Sequence, residues 1–229
     1  MNRKRYSIKT VLFFCFIFSV EVPASFGQGF GTGIPLARVK YSGGGDWYND
    51  PSSLPNLARF INQQSRVRLA EKEAQVALAS ESLFSYPILF LTGHGHVQFN
   101  DEEAGALRQY LLQGGFLYAD DDYGMDASFR SAIQTVFPDR DWVELPFQHG
   151  IYSVHFSFPN GLPKIHEHDN KPPIGLAILD DNGRVMIFYT LETNLSDGWA
   201  DENVHNDPPE KREEALRMGA NIIIWALLH

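Results

Sequence analysis

Cysteine is nearly missing from this chain: 229 residues carry one, Cys15. It sits in an apolar run close to the N-terminus, so a chain trimmed of that run has no thiol. Disulfides, thiolate metal ligands and cysteine nucleophiles are then excluded together. Phe13 and Phe14 stand before Cys15 where lipoprotein processing needs small residues, which argues against a lipid anchor. Positive charge is also scarce, with 19 Lys and Arg against 28 Asp and Glu. Phosphate contacts need clustered Lys and Arg, so nucleic acid and anionic lipid are poor partners. No apolar stretch reaches the roughly 18 residues of a membrane span. A Gly-x-Ser-x-Gly elbow, a phosphate loop with its Lys-Ser/Thr, an HExxH helix and any nucleotide or flavin motif are lacking.

The first residues carry an export signal. Arg3, Lys4, Arg5 and Lys9 give a positive n-region and Val11 to Val20 an apolar h-region. Ala24, Ser25 and Gly27 supply the small residues of a cleavage zone, with the cut placed after Gly27. Residues 1–27 thus read as a secretory signal peptide. The protein is expected in the periplasm or outside the cell, with no membrane span after cleavage. Trimming removes four Lys/Arg and one Glu and leaves 15 against 27, an acidic balance of −12. Residues 28–229 suit one domain with a full core.

Periodicity places the elements. Leu36 to Tyr41 reads as a first strand. Leu54, Leu57, Phe60 and Ile61 repeat at helical spacing after Ser53, with Pro55 in the first turn. Arg66 to Leu69 reads as a brief strand, and 71–83 fits strand or helix equally. Ile88 to Leu91 is the continuous apolar run of a buried parallel strand. Asn100 and Glu103 form a capping pair for a helix whose buried stripe is Ala104, Leu107 and Leu111, ended by Gly114-Gly115. Phe116 to Ala119 is the next strand, and Asp120-Asp121-Asp122 a turn after it. Asp126 caps a helix to about Phe137, with Phe129, Ile133 and Val136 inward. Val143 to Leu145 is a strand, and 148–173 is irregular. Ile174 to Leu179 and Val185 to Tyr189 form a hairpin around Asp181-Asn182-Gly183. Asp207 caps a last helix, with Pro208 in its first position and Ile222-Ile223-Ile224-Trp225 near its end. Strands alternating with helices, then a late hairpin, predict a three-layer α/β/α sandwich with a mostly parallel sheet.

Chemistry-bearing residues collect at predicted strand ends, where open α/β sheets bind ligands. Gly93-His94-Gly95-His96 offers imidazoles for acid–base work or metal ligation; alternatively His94 only ties down a neighbouring loop. Asp120, Asp121 and Asp122 crowd three carboxylates, with Asp120 and Asp122 on one face and Asp121 opposed. They fit an acid, a base, a hard-cation site or, more plainly, a helix cap. Gly43-Gly44-Gly45 can present amides to an anion. Asp46, Trp47 and Tyr48 follow, the aromatics either stacking on a sugar or plugging the core. His166-Glu167-His168 places two rings on one side of an extended chain, a spacing metals use, although Lys164 beside them opposes a cation. His149 and His155 can join across the sheet edge. His205-Asn206-Asp207 reads as the organiser of the last helix N-terminus.

The segments Tyr41 to Tyr48, Thr92 to Gly95, Asp120 to Gly124 (with Tyr123), Lys164 to His168 and His205 to Pro209 together resemble a bacterial family of unassigned function, DUF4159. The stretches Gly114 to Leu117, Gly183 to Val185, Phe188 to Thr190 and Asn221 to Ala226 are more distantly similar to class I glutamine amidotransferase-like and ThuA-like domains. That likeness implies a flavodoxin-like sheet. It also implies that the segment after Ala119 occupies the place of a nucleophilic cysteine, where this chain has aspartates, so glutaminase chemistry is removed. The reading is an exported hydrolase-type enzyme acting on a cell-envelope or carbohydrate-like substrate, with His94, Asp120 and Asp122 as catalytic candidates. Gly43, Gly44, Gly45, Asp46, Trp47, Tyr48, His96, Asp121, Tyr123, His149, His166 and His168 are the binding candidates. The alternatives are a non-catalytic domain for a small molecule, glycan or envelope protein, or a His/Asp metal-binding protein holding a divalent ion.

Overall fold

Two-residue alternation along the central strands decides the architecture. The computed structural model describes residues 33–229; the export signal expected at 1–27 lies outside them. Ile88 and Phe90 of strand β3 (Ile88–His94), with Phe116 and Tyr118 of β4 (Phe116–Tyr123), face one side. Leu89, Leu91, Leu117 and Ala119 face the other. Both sides are apolar, so both need a covering layer. The first is covered by α1 (Ser53–Gln64) and α5 (Pro209–Leu228) through Leu54, Leu57, Ala215 and Met218. The second is covered by α2 (Asp101–Leu112) and α3 (Asp126–Val136) through Leu107, Leu111, Phe129 and Ile133. The result is the expected three-layer sandwich.

The remaining strands are β1 (Leu36–Lys40), β2 (Ala74–Ala77), β5 (Val143–Glu144), β6 (Ile174–Leu179) and β7 (Val185–Leu191). They assemble in the order β2-β1-β3-β4-β7-β6-β5. Only β6 runs against its neighbours, so the sheet is mostly parallel, with β6 and β7 as the late hairpin. The chain leaves β1 toward β2 on one side and returns to β3 on the other. The helices after β1 and β3 lie on opposite faces. A crevice therefore opens where the carboxyl ends of β1 and β3 diverge, the topological switch point at which such sheets bind ligands.

Several local expectations are corrected. Residues 120–122 are no turn: β4 continues through Tyr123, and all three carboxylates sit in buried strand. No side chain caps α3; Asp121 instead accepts the amide of the N-cap residue Met125 at 3.0 Å. Asp126 is inside the helix and accepts from Arg130 and Tyr189 instead. Asp207 does not cap α5, whose first residue is Pro209 and whose preceding Pro208 has no side-chain cap to give. The brief strand at 66–69 reduces to one bridge between Leu69 and Ile34. The Asn100–Glu103 capping box is present as expected. Among the described residues no helix is long and apolar enough to cross a membrane.

One buried side chain of α5 helps to hold down the irregular stretch 148–173. Asn221 accepts the amides of His155 and Phe156 at 3.2 and 2.8 Å and donates to the Phe156 carbonyl at 2.7 Å. A buried amide has four hydrogen-bonding positions to fill, and irregular backbone in contact with it fills them.

Candidate functional site

The loop after β1 is shaped from below by a buried arginine. Arg38 pairs with Glu73 at 3.1 Å. It also donates to the carbonyls of Trp47, Asn49 and Asp50 at 3.4, 3.0 and 3.2 Å, and to Ser53 Oγ at 3.1 Å. A planar guanidinium with five donors suits this task. The loop so held turns Asp46, Asn49 and Asp50 toward the ends of β3 and β4. Asp46 accepts the backbone amide of His94 at 2.5 Å and its ring Nδ1 at 3.1 Å. The same Nδ1 lies 3.4 Å from Asp122 Oδ2. The His94 side chain is 52% exposed and that of Asp122 1%, so the imidazole is the accessible end of a pair rooted in the sheet.

A second set of groups arrives from the far side. The loop after β7 carries Asn194 and Asp197, the latter opening a short 3₁₀ turn (Asp197–Trp199). Asn194 donates to the Asp122 carbonyl at 2.6 Å and to Asp197 Oδ2 at 3.4 Å, and reaches His168 Nε2 at 3.0 Å. Asp122 also receives the Asn49 amide and shares a hydrogen bond with Asp197. His166 is clamped between carboxylates, Nδ1 at 2.8 Å from Asp197 Oδ2 and Nε2 at 2.5 Å from Asp207 Oδ1. His205, on the short helix α4 (Glu202–His205), places Nε2 2.8 Å from Asp50 Oδ2 and 3.8 Å from Asp197 Oδ1. Two triplets offer ligand atoms within 4.8 Å of one another: His166, Asp197 and His205, and Asp50, Asp122 and Asp197. Asp46, Asp50, Asp122, Asp197 and Asp207 have no Lys or Arg pairing with their carboxylates among the described residues. Lys164 turns away to Glu192 and Glu167.

A family model described as "Domain of unknown function (DUF4159)" matches residues 35–227, from β1 into the last turn of α5. The chain belongs to the DUF4159 family. No curated protein matches it.

Protonation in this DUF4159 domain follows from burial and crowding. Asp122 is driven well above the ordinary carboxyl range by burial, then by its hydrogen bond to Asp197 and that group's charge. Burial also works to raise Asp197, but the hydrogen bonds from His166 and Asp122 hold it below its usual value. His166 is raised to about 9, first by its hydrogen bond to Asp197. His205 is raised by Asp50. Crowding thus pushes the two buried carboxyls in opposite directions, Asp122 up and Asp197 down.

The candidate residues of the DUF4159 domain divide into those brought together and those kept apart. His94, Asp46, Asp122, His166 and His168 share the crevice, and Tyr123 stacks on the His168 ring at 4.4 Å between centroids. Asp120 lies beneath it, accepting the Ser196 amide and hydroxyl at 2.7 and 2.8 Å and the Thr190 hydroxyl at 2.5 Å. Burial raises this carboxyl to about 7 against those donors. Its place is to anchor the loop one residue before Asp197. Asp121 points to the opposite face, as alternation predicts. The Gly45 amide is taken by the His96 carbonyl at 3.1 Å, so it is not free for an anion. Gly43 and Gly44 are exposed beside it. Trp47 packs on the core, while Tyr48 is 62% exposed. The exposed His96 ring does not join the group. His149 packs against Trp225 with the rings tilted by 54°; Trp225 is sixteen residues along α5 from Pro209, which is about 24 Å at 1.5 Å per residue. His155 bonds the carbonyl of Gln64. Neither reaches the crevice.

Sequence reading missed Asn49, Asp50, Asn194 and Asp197 and assigned His205 and Asp207 to helix capping. One signal was available: the rule that ligands gather at carboxyl ends of strands applies to β7 as well, and 192–199 follows it directly.

Proposed function

We propose that this DUF4159 domain is an exported enzyme of hydrolytic type, with His94 as its acid–base group. The observation that carries this reading is the position of the His94 ring, half exposed above the buried carboxyl group of Asp122. Asp46 fixes both the backbone and Nδ1 of His94, which leaves Nε2 to face a substrate. A carboxylate on one ring nitrogen orients an imidazole, the arrangement general acid–base catalysis needs. Tyr48, in the same loop as Asp46, and Tyr123, next to Asp122, are large exposed aromatics flanking the crevice in sequence. They suit a polar, ring-bearing substrate such as a carbohydrate of the cell envelope.

The test is a panel of chromogenic esters, glycosides and phosphate esters presented to the protein lacking residues 1–27. On any substrate turned over, His94→Gln and Asp46→Asn are expected to lose about 10²–10⁴-fold in kcat/KM with unchanged melting temperature. Full activity in both variants overturns the acid–base assignment. Saturable glycan binding with no turnover by the wild type favours the non-catalytic alternative.

A further inference from the structure

We infer that Asp197, His166 and His205 form a binding site for one divalent transition-metal cation, closed on its inner side by Asp122 and Asp50. Three independent features of the cluster lead to this.

The first is spacing. Two ligand atoms on one tetrahedral ion at about 2.1 Å are about 3.4 Å apart. The His166 Nδ1 and His205 Nε2 atoms lie 2.8 and 3.8 Å from the two oxygens of Asp197. Small rotations of three side chains suffice to seat an ion between them.

The second is an orphaned atom. The Asp197 side chain is 4% exposed, and its Oδ1 has no hydrogen-bond partner. An unpaired oxygen on a buried carboxylate is costly, and such atoms persist in folded proteins where they serve catalysis or hold an ion. That oxygen faces His205 within the cluster, where a cation would complete it.

The third is the surrounding shell. With Nδ1 of His166 turned to the site, Nε2 reaches Asp207 at 2.5 Å, the carboxylate–histidine–metal relay that fixes a ligand's tautomer and raises its basicity. Asn194 steadies Asp197 Oδ2, Asp120 holds the amide of Ser196 beside it, and Arg38 holds the Asp50 carbonyl. Asp197 and His166 are thus each braced by a buried partner, and no Lys or Arg among the described residues pairs with the carboxylates of the site.

Ligand chemistry selects the ion. Two imidazoles with carboxylates and no thiol fit zinc, manganese, iron(II), cobalt or nickel; magnesium and calcium prefer oxygen-only cages. The ion's role rests on the hydrolytic reading: it would lower the pKa of a bound water beside His94. Binding itself does not depend on that reading.

The experiment is a titration of the metal-stripped mature protein with zinc and with cobalt, followed by calorimetry and by the visible absorption of cobalt. The expected result is one equivalent bound. Asp197→Asn and His205→Gln should each weaken it by at least about 100-fold, and Asp207→Asn by about 10–100-fold. Circular dichroism establishes that the variants are folded; if Asp197→Asn does not fold, His205→Gln carries the same reading. A folded wild type that takes up neither ion below about 100 μM overturns the inference, as does stoichiometric binding that survives both ligand substitutions. Metal bound with turnover indifferent to His94 sinks the hydrolytic reading alone. Turnover that needs His94 in a protein that binds neither ion sinks the metal site alone.

Discussion

Replacing Arg38 by Met tests whether the site loop is held from beneath. The guanidinium is fully buried on β1, lies over the Phe90 ring at 5.2 Å and makes an ion pair with Glu73 whose partner is only slightly exposed. Methionine keeps much of the volume and contact with Phe90, but leaves Glu73 and three loop carbonyls without their donor. Removing one member of a buried pair costs about 3–5 kcal/mol. Glu73 lies near the sheet edge and can turn toward water, as can the Asn49 and Asp50 carbonyls, which places the cost at about 3–4 kcal/mol. In a domain of this size 1 kcal/mol moves the melting temperature by about 2–4 °C, so a fall of roughly 6–16 °C is expected. Arg38→Lys keeps the charge but has one nitrogen to serve both Glu73 and the loop, and should recover only part of the loss. Urea denaturation and thermal melts of both variants, with Glu73→Gln completing a double-mutant cycle, measure the terms. A fall under about 2 °C for Arg38→Met, or a lysine variant as stable as wild type, would refute the account of the loop.

The glycines of the crevice should differ sharply in tolerance. Gly93 has φ +144°, and a Cβ there would collide with the Tyr41 hydroxyl and approach Asp46 Oδ1 to 3.0 Å; Gly93→Ala should cost about 1–3 kcal/mol and disturb the His94–Asp46 contact. Gly44, with φ +95° but nothing within 4 Å, should accept asparagine at a cost below about 1 kcal/mol. Equal melting curves for Gly93→Ala and wild type would contradict the first expectation. Burial, then the nearby His229, lowers the pKa of His149. The folded state keeps this ring neutral while the unfolded chain protonates near 6.5, so its contribution is intact above that pH and lost as pH falls below it. His149→Gln should therefore show a smaller drop in urea midpoint between pH 7.5 and pH 5.5 than wild type; an identical drop in both proteins would show that His149 carries none of the slope.

The layers were legible because their signals are local. Ile88 to Leu91 is apolar without interruption because both sides of β3 are covered, and the Asn100–Glu103 pair can be read as a cap because both partners lie within one turn. Strand ends pointed to His94 and Asp122 for a similar reason: one chain segment carries both the strand and its terminal polar residue. What escaped was set by tertiary contact. Nothing local distinguishes Asp120 from Asp122, yet one meets Ser196 beneath the crevice and the other meets His94 and Asp197 within it. Asp207 has the sequence context of a helix cap, but His166, 41 residues earlier, takes its carboxylate. Asp126 falls inside α3, and Asp121 takes the amide of the residue before it, because the strand runs farther than its apolar residues do. Polar residues usually mark a strand's end; here a buried network lets three carboxylates stay inside it.

The pairing of β4 with β7 sets Leu117 beside Ile187 and Asp120 beside Thr190. That single junction joins segments about seventy residues apart, and everything that faces Asp122 from the far side lies beyond it. Closing so long a loop is among the slower steps of folding. No half of the sheet can therefore hold the acidic group by itself: β1, β3 and β4 bring Asp46, Asp50, His94 and Asp122 together, while Asp197, His205 and Asp207 arrive only once nearly all of the domain has been laid down. Whatever binds there will bind the finished fold and stabilise it as a whole, and a chain arrested before β7 docks will have the carboxylates of β4 exposed to water and nothing to share them with.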